Sequence, residues 1–474
     1  MQNALLIACG FMLLGVVLRA RLRWLAAIYV PASLVAGLVA LILTQTILIT
    51  NSGDAEPAAR VFQQLCTLFI RATIEWDAWR SPLIPVIFAG MLLVVPERES
   101  TGQLRATVQQ GIAAWVLILG QLAIGLTVAW LILGPTFGVP IHFGQLLEVS
   151  WAGGFGSSAA WGNQHEKLNV FPGARDLAVF FTTTGLLYGV LSGVLLVNIA
   201  IRRRWTAQDS PIDPTDAVRN VETARPRPGL TGDAIDPLMF QILLLAAAFT
   251  VGVLIQKSVA SISQLAPQGS IVRSLGTDLP LFVFTLVGGW LVRRFIVAIG
   301  GARMINNEWM HRLTGVALEL LIFVAIATLK VGVIRENWLP SLILMLAGAA
   351  WVWFNVVWVS RRLLPRDCWF ELAIMNHGFA TATTAQGMML LRMVDRDLRT
   401  NAARIYAQAA PLTAIFIGGG VITYLMPLIL GAVNPIVPIG CAAGAAVVLF
   451  IVGKRVAANA PPCSSAAQAL PTAG

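Results

Sequence analysis

Two short segments concentrate the residue types that can hold an anion and a small cation. The first reads Gly153-Gly154-Phe155-Gly156-Ser157-Ser158-Ala159-Ala160-Trp161-Gly162. The second reads Asn376-His377-Gly378-Phe379-Ala380-Thr381-Ala382-Thr383-Thr384-Ala385-Gln386-Gly387. Glycine permits the backbone angles of a chain break, and a break aims the N–H groups of the next helix start at one spot. Such a spot suits an anionic group. Freed carbonyls and Ser/Thr hydroxyls are hard oxygen ligands for an ion such as Na⁺. The expected substrate-binding set is Gly153, Gly154, Phe155, Gly156, Ser157 and Ser158 in the first segment. In the second it is Asn376, His377, Gly378, Thr381 and Gln386. Ser157, Thr383 and Thr384 are the expected Na⁺ ligands.

These segments must be carried by elements in a particular solvent, and composition identifies it. The chain has 474 residues, 57% hydrophobic and only 12% charged. A soluble domain is about 45–50% apolar and about 25% charged, so the sequence reads as a polytopic membrane protein. The net charge of +10 does not form a patch; the arginines punctuate the ends of apolar runs, so nucleic acid is not an expected partner. Cys9, Cys66, Cys368, Cys441 and Cys463 are scattered without metal or disulfide spacing. No Gly-x-Ser-x-Gly elbow, phosphate loop or metal-spaced His/Asp/Glu cluster occurs, and no enzymatic activity or cofactor is expected.

Apolar runs lie at 4–18, 25–49, 82–95, 112–133 and 177–201, then at 237–255, 279–299, 313–334, 339–359 and 405–430, with a last one at 436–452. The first is read as a retained helix, since no basic n-region precedes it. Arg202–Asp236, rich in proline and mixed charge, reads as a solvated linker. Gly154-Phe155 and Gly378-Phe379 align at an offset of 224 residues, with Glu148 and Glu371 ahead of them. Each follows the fourth run of its half and precedes the fifth, which makes an internal repeat. Five crossings is an odd number, so consecutive copies lie in opposite orientations, the pattern of a secondary transporter. Basic clusters at Arg19–Arg23, Arg202–Arg204, Arg293–Arg303 and Arg361–Arg366 put the N-terminus outside and the linker and C-terminus in the cytoplasm. That count holds if 146–168 and 371–391 enter the membrane without crossing it. Asn51–Arg80, slightly acidic, reads as an outer loop.

The bland alternative for each break is tight helix packing. For His377 it is a structural hydrogen bond, and for Thr182-Thr183-Thr184 it is back-bonding within the helix. Lys330 reads as a snorkelling side chain and Arg392 as cytoplasmic surface or a substrate anchor. Glu319 reads as an intramembrane carboxylate worth testing. Trp161 alone among the tryptophans sits in a break.

The order of these features resembles the bacterial sodium/glutamate symporter family. Gly153-Gly154-Phe155-Gly156-Ser157 with Ala159-Ala160-Trp161 is similar to that family's Gly-Gly-His-Gly-Thr loop, and His377-Gly378-Phe379 with Thr383-Thr384 to its second loop. Tyr29-Val30-Pro31, Leu279-Pro280, Leu329-Lys330 and Leu339-Pro340 fall where the family has similar pairs. Phe155 stands where the family has histidine, and Ala385 and Leu390 where it has proline and asparagine. The resemblance implies two five-helix inverted domains joined by a cytoplasmic linker, each with a re-entrant loop, carrying glutamate with Na⁺.

The expected fold is therefore all-α: two inverted five-helix repeats, each with a re-entrant hairpin, plus an extra C-terminal transmembrane helix. The expected division is 1–201 first repeat, 202–236 linker, 237–430 second repeat, and 431–474 extra helix and tail. The expected function is sodium-coupled uptake of glutamate or a related small carboxylate by alternating access in a bacterial inner membrane. The alternatives are a proton-coupled or exchange transporter of another organic anion, a passive channel, and a membrane scaffold. Expected partners are the anionic substrate, the sodium ion, the lipid bilayer and a second copy in a homodimer.

Overall fold

The computed structural model describes residues 2–22, 30–50, 59–95, 104–206, 236–265, 267, 279–395, 400–414 and 416–458. The body of the expected linker (207–235) and the expected tail (459–474) lie outside the described residues. Every regular element among the described residues is helical. Among the described residues eight helices are long and apolar enough to cross a membrane: Gln2–Arg21, Leu104–Phe137, Ala174–Arg202, Pro237–Ser263, Leu281–Ala298, Asn307–Ala327, Trp338–Leu363 and Ile436–Ala458. The protein is an integral membrane protein.

The chain forms two compact units, each drawing on both halves of the sequence. One contains α1 (Gln2–Arg21), α2 (Ala32–Thr50), α3 (Ala59–Met91), α7 (Pro237–Ser263), α8 (Leu281–Ala298) and α9 (Asn307–Ala327). Local chemistry starts these helices where expected. Asp236 accepts from the amides of Leu238 and Met239 with proline at the first position of α7, and Asn306 caps α9 through Glu308 and Trp309. Each such cap supplies an acceptor to helix-end amides that have no intrahelical partner. The core of this unit is aromatic. Trp76 is fully buried against Phe69 and Phe323, with ring centroids 5.7 and 5.0 Å away, and its indole N–H donates to the Ala4 carbonyl at 2.9 Å.

The segment read as an outer loop, 51–80, is corrected here: from Ala59 onward it is helix, continuous with the apolar run that follows. Its one buried arginine among the described residues is satisfied inside the fold. Buried Arg80 donates to the Ala325 carbonyl at 3.0 Å, bonds Thr328, and lies 3.5 Å from the Asp77 carboxylate. Glu319, on α9, and Lys330, just beyond it, are both exposed.

The second unit contains α4 (Leu104–Val128, prolonged by a wide π turn to Phe137), α5 (Gly154–Lys167), α6 (Ala174–Arg202), α10 (Trp338–Phe354, prolonged to Leu363) and α11 (Trp369–Thr381). It continues with α12 (Thr384–Val394), α13 (Ala402–Ala414), α14 (Val421–Ala432) and α15 (Ile436–Ala458). Its centre is α4, of which two thirds of the most apolar stretch is buried (67%, against 22% for α15). Helix α15 covers one side of it, where Ala442 joins Leu122, Ala123, Leu126, Met426 and Leu430. The single run expected at 405–430 is two helices. Gly418 and Gly419 take φ of +64° and +89°, a left-handed region that only glycine enters freely, and the chain breaks there between α13 and α14.

Candidate functional site

Both segments singled out by composition are broken helices within the second unit. In the first, a 3-10 turn (Ile141–Gln145) and a π turn (Leu147–Ala152) lead to Gly153, after which α5 begins. The direction changes at Gly154, whose φ is +69°. In the second, α11 ends at Thr381 and α12 begins at Thr384. Between them, Ala382 leaves the helix with φ of −161° and ψ of −67°, and Thr383 is extended, with φ of −156°. Thr383 caps α12 by accepting from the Gln386 amide at 3.3 Å. The two arms of this second break pack backbone to backbone where Gly378 meets Gly387.

The breaks touch. A methyl group added at Gly154 would stand 3.1 Å from the Ala382 carbonyl oxygen and 3.7 Å from the Thr383 Cγ2. The starts of α5 and α12 therefore lie close to one another, each with amides that have no carbonyl one turn back.

The other expected site residues distribute around this junction. Gly153 and Gly156 are half-buried in the first break, and Phe155 is buried beside them. Ser157 faces Gly419, and its carbonyl accepts from the Tyr424 hydroxyl at 3.5 Å. Ser158 shares a short hydrogen bond with Thr182 of α6, which also donates to the Ser150 carbonyl at 3.1 Å. Asn376 pairs with Gln110 of α4, donating at 3.3 Å and receiving in return.

His377, Thr381 and Gln386 all turn toward α6. The His377 Nε2 lies 3.0 Å from the Ser192 hydroxyl and 3.2 Å from the Gly189 carbonyl. Thr381 donates to the His377 carbonyl at 2.8 Å, and the Gln386 amide donates to the Leu186 carbonyl at 3.3 Å. Thr383 is half-buried and Thr384 exposed. The three hydroxyls expected to share a cation thus have different neighbours. Ser157 sits by the Gly418-Gly419 turn, while Thr383 and Thr384 sit at the start of α12.

Several readings of neighbouring residues follow from ordinary chemistry. Thr182, Thr183 and Thr184 each donate to a carbonyl four residues earlier, at 3.0, 2.9 and 3.0 Å. Trp161 lies on α5 with its ring 3.8 Å from that of His165. Arg392 is half-buried in the last turn of α12.

Sequence reasoning missed a set of buried amides and one carboxylate. Gln121 donates to the Ala380 carbonyl at 2.9 Å, holding the end of α11 from α4. Gln145 and Gln164 donate to the consecutive carbonyls of Thr423 and Tyr424, at 2.6 and 3.3 Å. The Glu148 Oε1 accepts from the Gly418 amide at 2.7 Å and from the Thr423 hydroxyl at 2.6 Å. The signal was available: Gln109, Gln110 and Gln121 interrupt an apolar run, and a buried amide there needs a partner.

The model of the sodium/glutamate symporter family matches residues 105–394, more than half of the chain and including both breaks. A sodium/glutamate symporter of Escherichia coli K12 is 24% identical over 326 residues, covering 66% of this chain and 74% of that protein. The same figures hold for the symporter of Shigella flexneri. The sodium/glutamate symporter of Haemophilus influenzae is 22% identical over 268 residues, covering 56% of this chain and 60% of its own. The chain belongs to the sodium/glutamate symporter family.

Proposed function

We propose that the protein is a secondary active transporter that takes up glutamate or a related small carboxylate together with Na⁺ across a bacterial inner membrane. The observation that carries this reading is the meeting of two helix breaks inside one compact unit, at Gly154 and Ala382–Thr383. Two helix starts facing one junction concentrate amide dipoles where a carboxylate would sit. Broken backbone in a membrane is stable only beside protein or a water-filled cavity, so such a junction is costly unless it serves a ligand.

In this reading Gly153, Gly154 and Gly156 shape the first break and Gly378 the second. Ser157, Ser158, Thr381, Thr383 and Thr384 supply oxygen atoms to ion or substrate. His377 and Gln386, already held against α6, orient the substrate. The two breaks are the re-entrant hairpins of two inverted repeats. The junction opens alternately to each side as one part of each repeat moves against the rest. Family membership and the names of the relatives support sodium and glutamate as the cargo.

The test is uptake of radiolabelled L-glutamate into proteoliposomes under an imposed Na⁺ gradient. Accumulation above the external concentration is expected. Uptake that only equilibrates would identify a passive pore, and no saturable uptake of any amino acid or dicarboxylate would leave a non-transporting membrane protein.

A further inference from the structure

One group in the second unit has chemistry that the proposed sodium and glutamate sites do not use. Glu148 lies in the wide π turn just before the first break and is 2% exposed. Its Oε1 accepts from the Gly418 amide and the Thr423 hydroxyl, while its Oε2 is buried and has no hydrogen-bond partner. Among the described residues no cation pairs with it. The Gly418 amide is offered only because the chain turns through left-handed Gly418 and Gly419 at the break between α13 and α14. That break is absent from α6, which runs unbroken from Ala174 to Arg202.

A buried carboxylate without a counter-ion is expensive in its charged form. Two donors on one oxygen nevertheless hold that charged form in place. Burial and donation therefore oppose one another. Opposed stabilisation is what a group needs to gain and lose a proton within a cycle, and acidic side chains inside membranes commonly serve as proton relays. The unpartnered Oε2 is the place on the carboxylate where a proton can be added without displacing a donor.

We infer that Glu148 binds a proton at Oε2 in the loaded transporter and releases it to water on the side of delivery, so that uptake carries H⁺ as well as Na⁺. The O–H bond forms with a proton from water on one side and breaks to water on the other; nothing is oxidised or reduced. The titratable group facing Glu148 is Tyr424 of α14, whose hydroxyl is directed to the Ser157 carbonyl. His142, on the preceding 3-10 turn, and His165, on α5, interact with each other through rings 5.2 Å apart. The helices packed against this π turn also carry buried Asp176 on α6 and Glu371 on α11. The inference rests on the transport reading for its meaning in the cycle, but its first test needs no substrate.

That test is infrared difference spectroscopy of the purified full-length protein, titrated with acid at constant Na⁺ and then with Na⁺ at constant pH. A buried carboxylic-acid band that appears with acid, persists in Glu319→Gln and is missing in Glu148→Gln is expected. Glutamine keeps the acceptor for Gly418 and Thr423, so folding is preserved. Should it fail to fold, Glu148→Asp provides the same readout through a displaced band. No titrating band assignable to Glu148, or a carboxylate band at Glu148 that responds to Na⁺ and not to acid, overturns the inference. In proteoliposomes, a pH dye in the lumen should report acidification during Na⁺-driven L-glutamate uptake by the wild type. That signal should fall at least about tenfold relative to uptake in Glu148→Gln. Absence of all glutamate uptake would count against the proposed function, while the infrared result would still decide the role of Glu148.

Discussion

The two breaks reach the same junction by different means. The first relies on backbone freedom: Gly154 turns through φ of +69°, and an added Cβ would crowd the Ala382 carbonyl oxygen at 3.1 Å. The second has no left-handed residue, and a side chain closes it, because the Thr383 hydroxyl takes the Gln386 amide. The first break should therefore be intolerant of any Cβ but indifferent to side-chain chemistry. The second should tolerate changes of size but require an oxygen at position 383.

The largest expected effect follows from the first half of that contrast. Gly154→Leu should reduce Na⁺-driven glutamate uptake to background while the protein still inserts and purifies. Gly154→Ala should cost about 1–2 kcal/mol from the left-handed backbone, a factor of roughly 5–30 in the population of the working state. Uptake close to wild type in Gly154→Leu would break the comparison at its root.

At the second break, Thr383→Val should lose about 1 kcal/mol of helix capping and Thr383→Ser only a few tenths. Initial uptake rates, normalised to protein in the membrane, would reveal that ordering. Loss in Thr383→Ser with none in Thr383→Val would mean that the methyl group, not the oxygen, matters.

A smaller effect is expected where the second break leans on α6. Ser192→Ala removes one of two partners of the His377 Nε2 and should lower thermal stability by roughly 0.5–1.5 kcal/mol, with glutamate affinity following. Smallest of all, Glu319→Gln on the exposed face of α9 should stay within about 0.5 kcal/mol of wild type in melting and in uptake. A loss of transport there would move the functional centre out of the second unit.

What could be read from sequence depended on whether the signal was local. Gly154 and the Thr383 cap announce themselves, because a glycine cluster and a Thr-rich stretch interrupt apolar runs whose length a membrane dictates. The helical class was legible for the same reason. The partners of the breaks were not, since Gln121, Gln110 and Ser192 reach Ala380, Asn376 and His377 across 259, 266 and 185 residues of chain. Glu148 was visible only as a register mark ahead of the first break; its donors lie at 418 and 423. The helix through Trp76 and Arg80 reads as a loop because its charges look solvated, whereas Ala325 and Thr328 satisfy Arg80 inside the fold. The glycines at 418–420 lay in plain view within an apolar run, but one glycine cluster in a span is ordinary packing material. The positive φ of Gly418 and Gly419 is a property of the folded chain.

The central claim is that both breaks build one binding site, and a thermodynamic cycle between them tests it most directly. Glutamate binding in saturating Na⁺ would be measured calorimetrically for wild type, Gly154→Ala, Thr383→Ser and the double variant. Thr383→Ser removes the methyl group that faces Gly154 and keeps the capping oxygen. Weakened binding is expected in Gly154→Ala, near-normal binding in Thr383→Ser, and a non-additive double variant, with a coupling of at least about 0.5 kcal/mol of either sign. Strictly additive effects, or glutamate binding that ignores Gly154→Ala, would contradict the central claim.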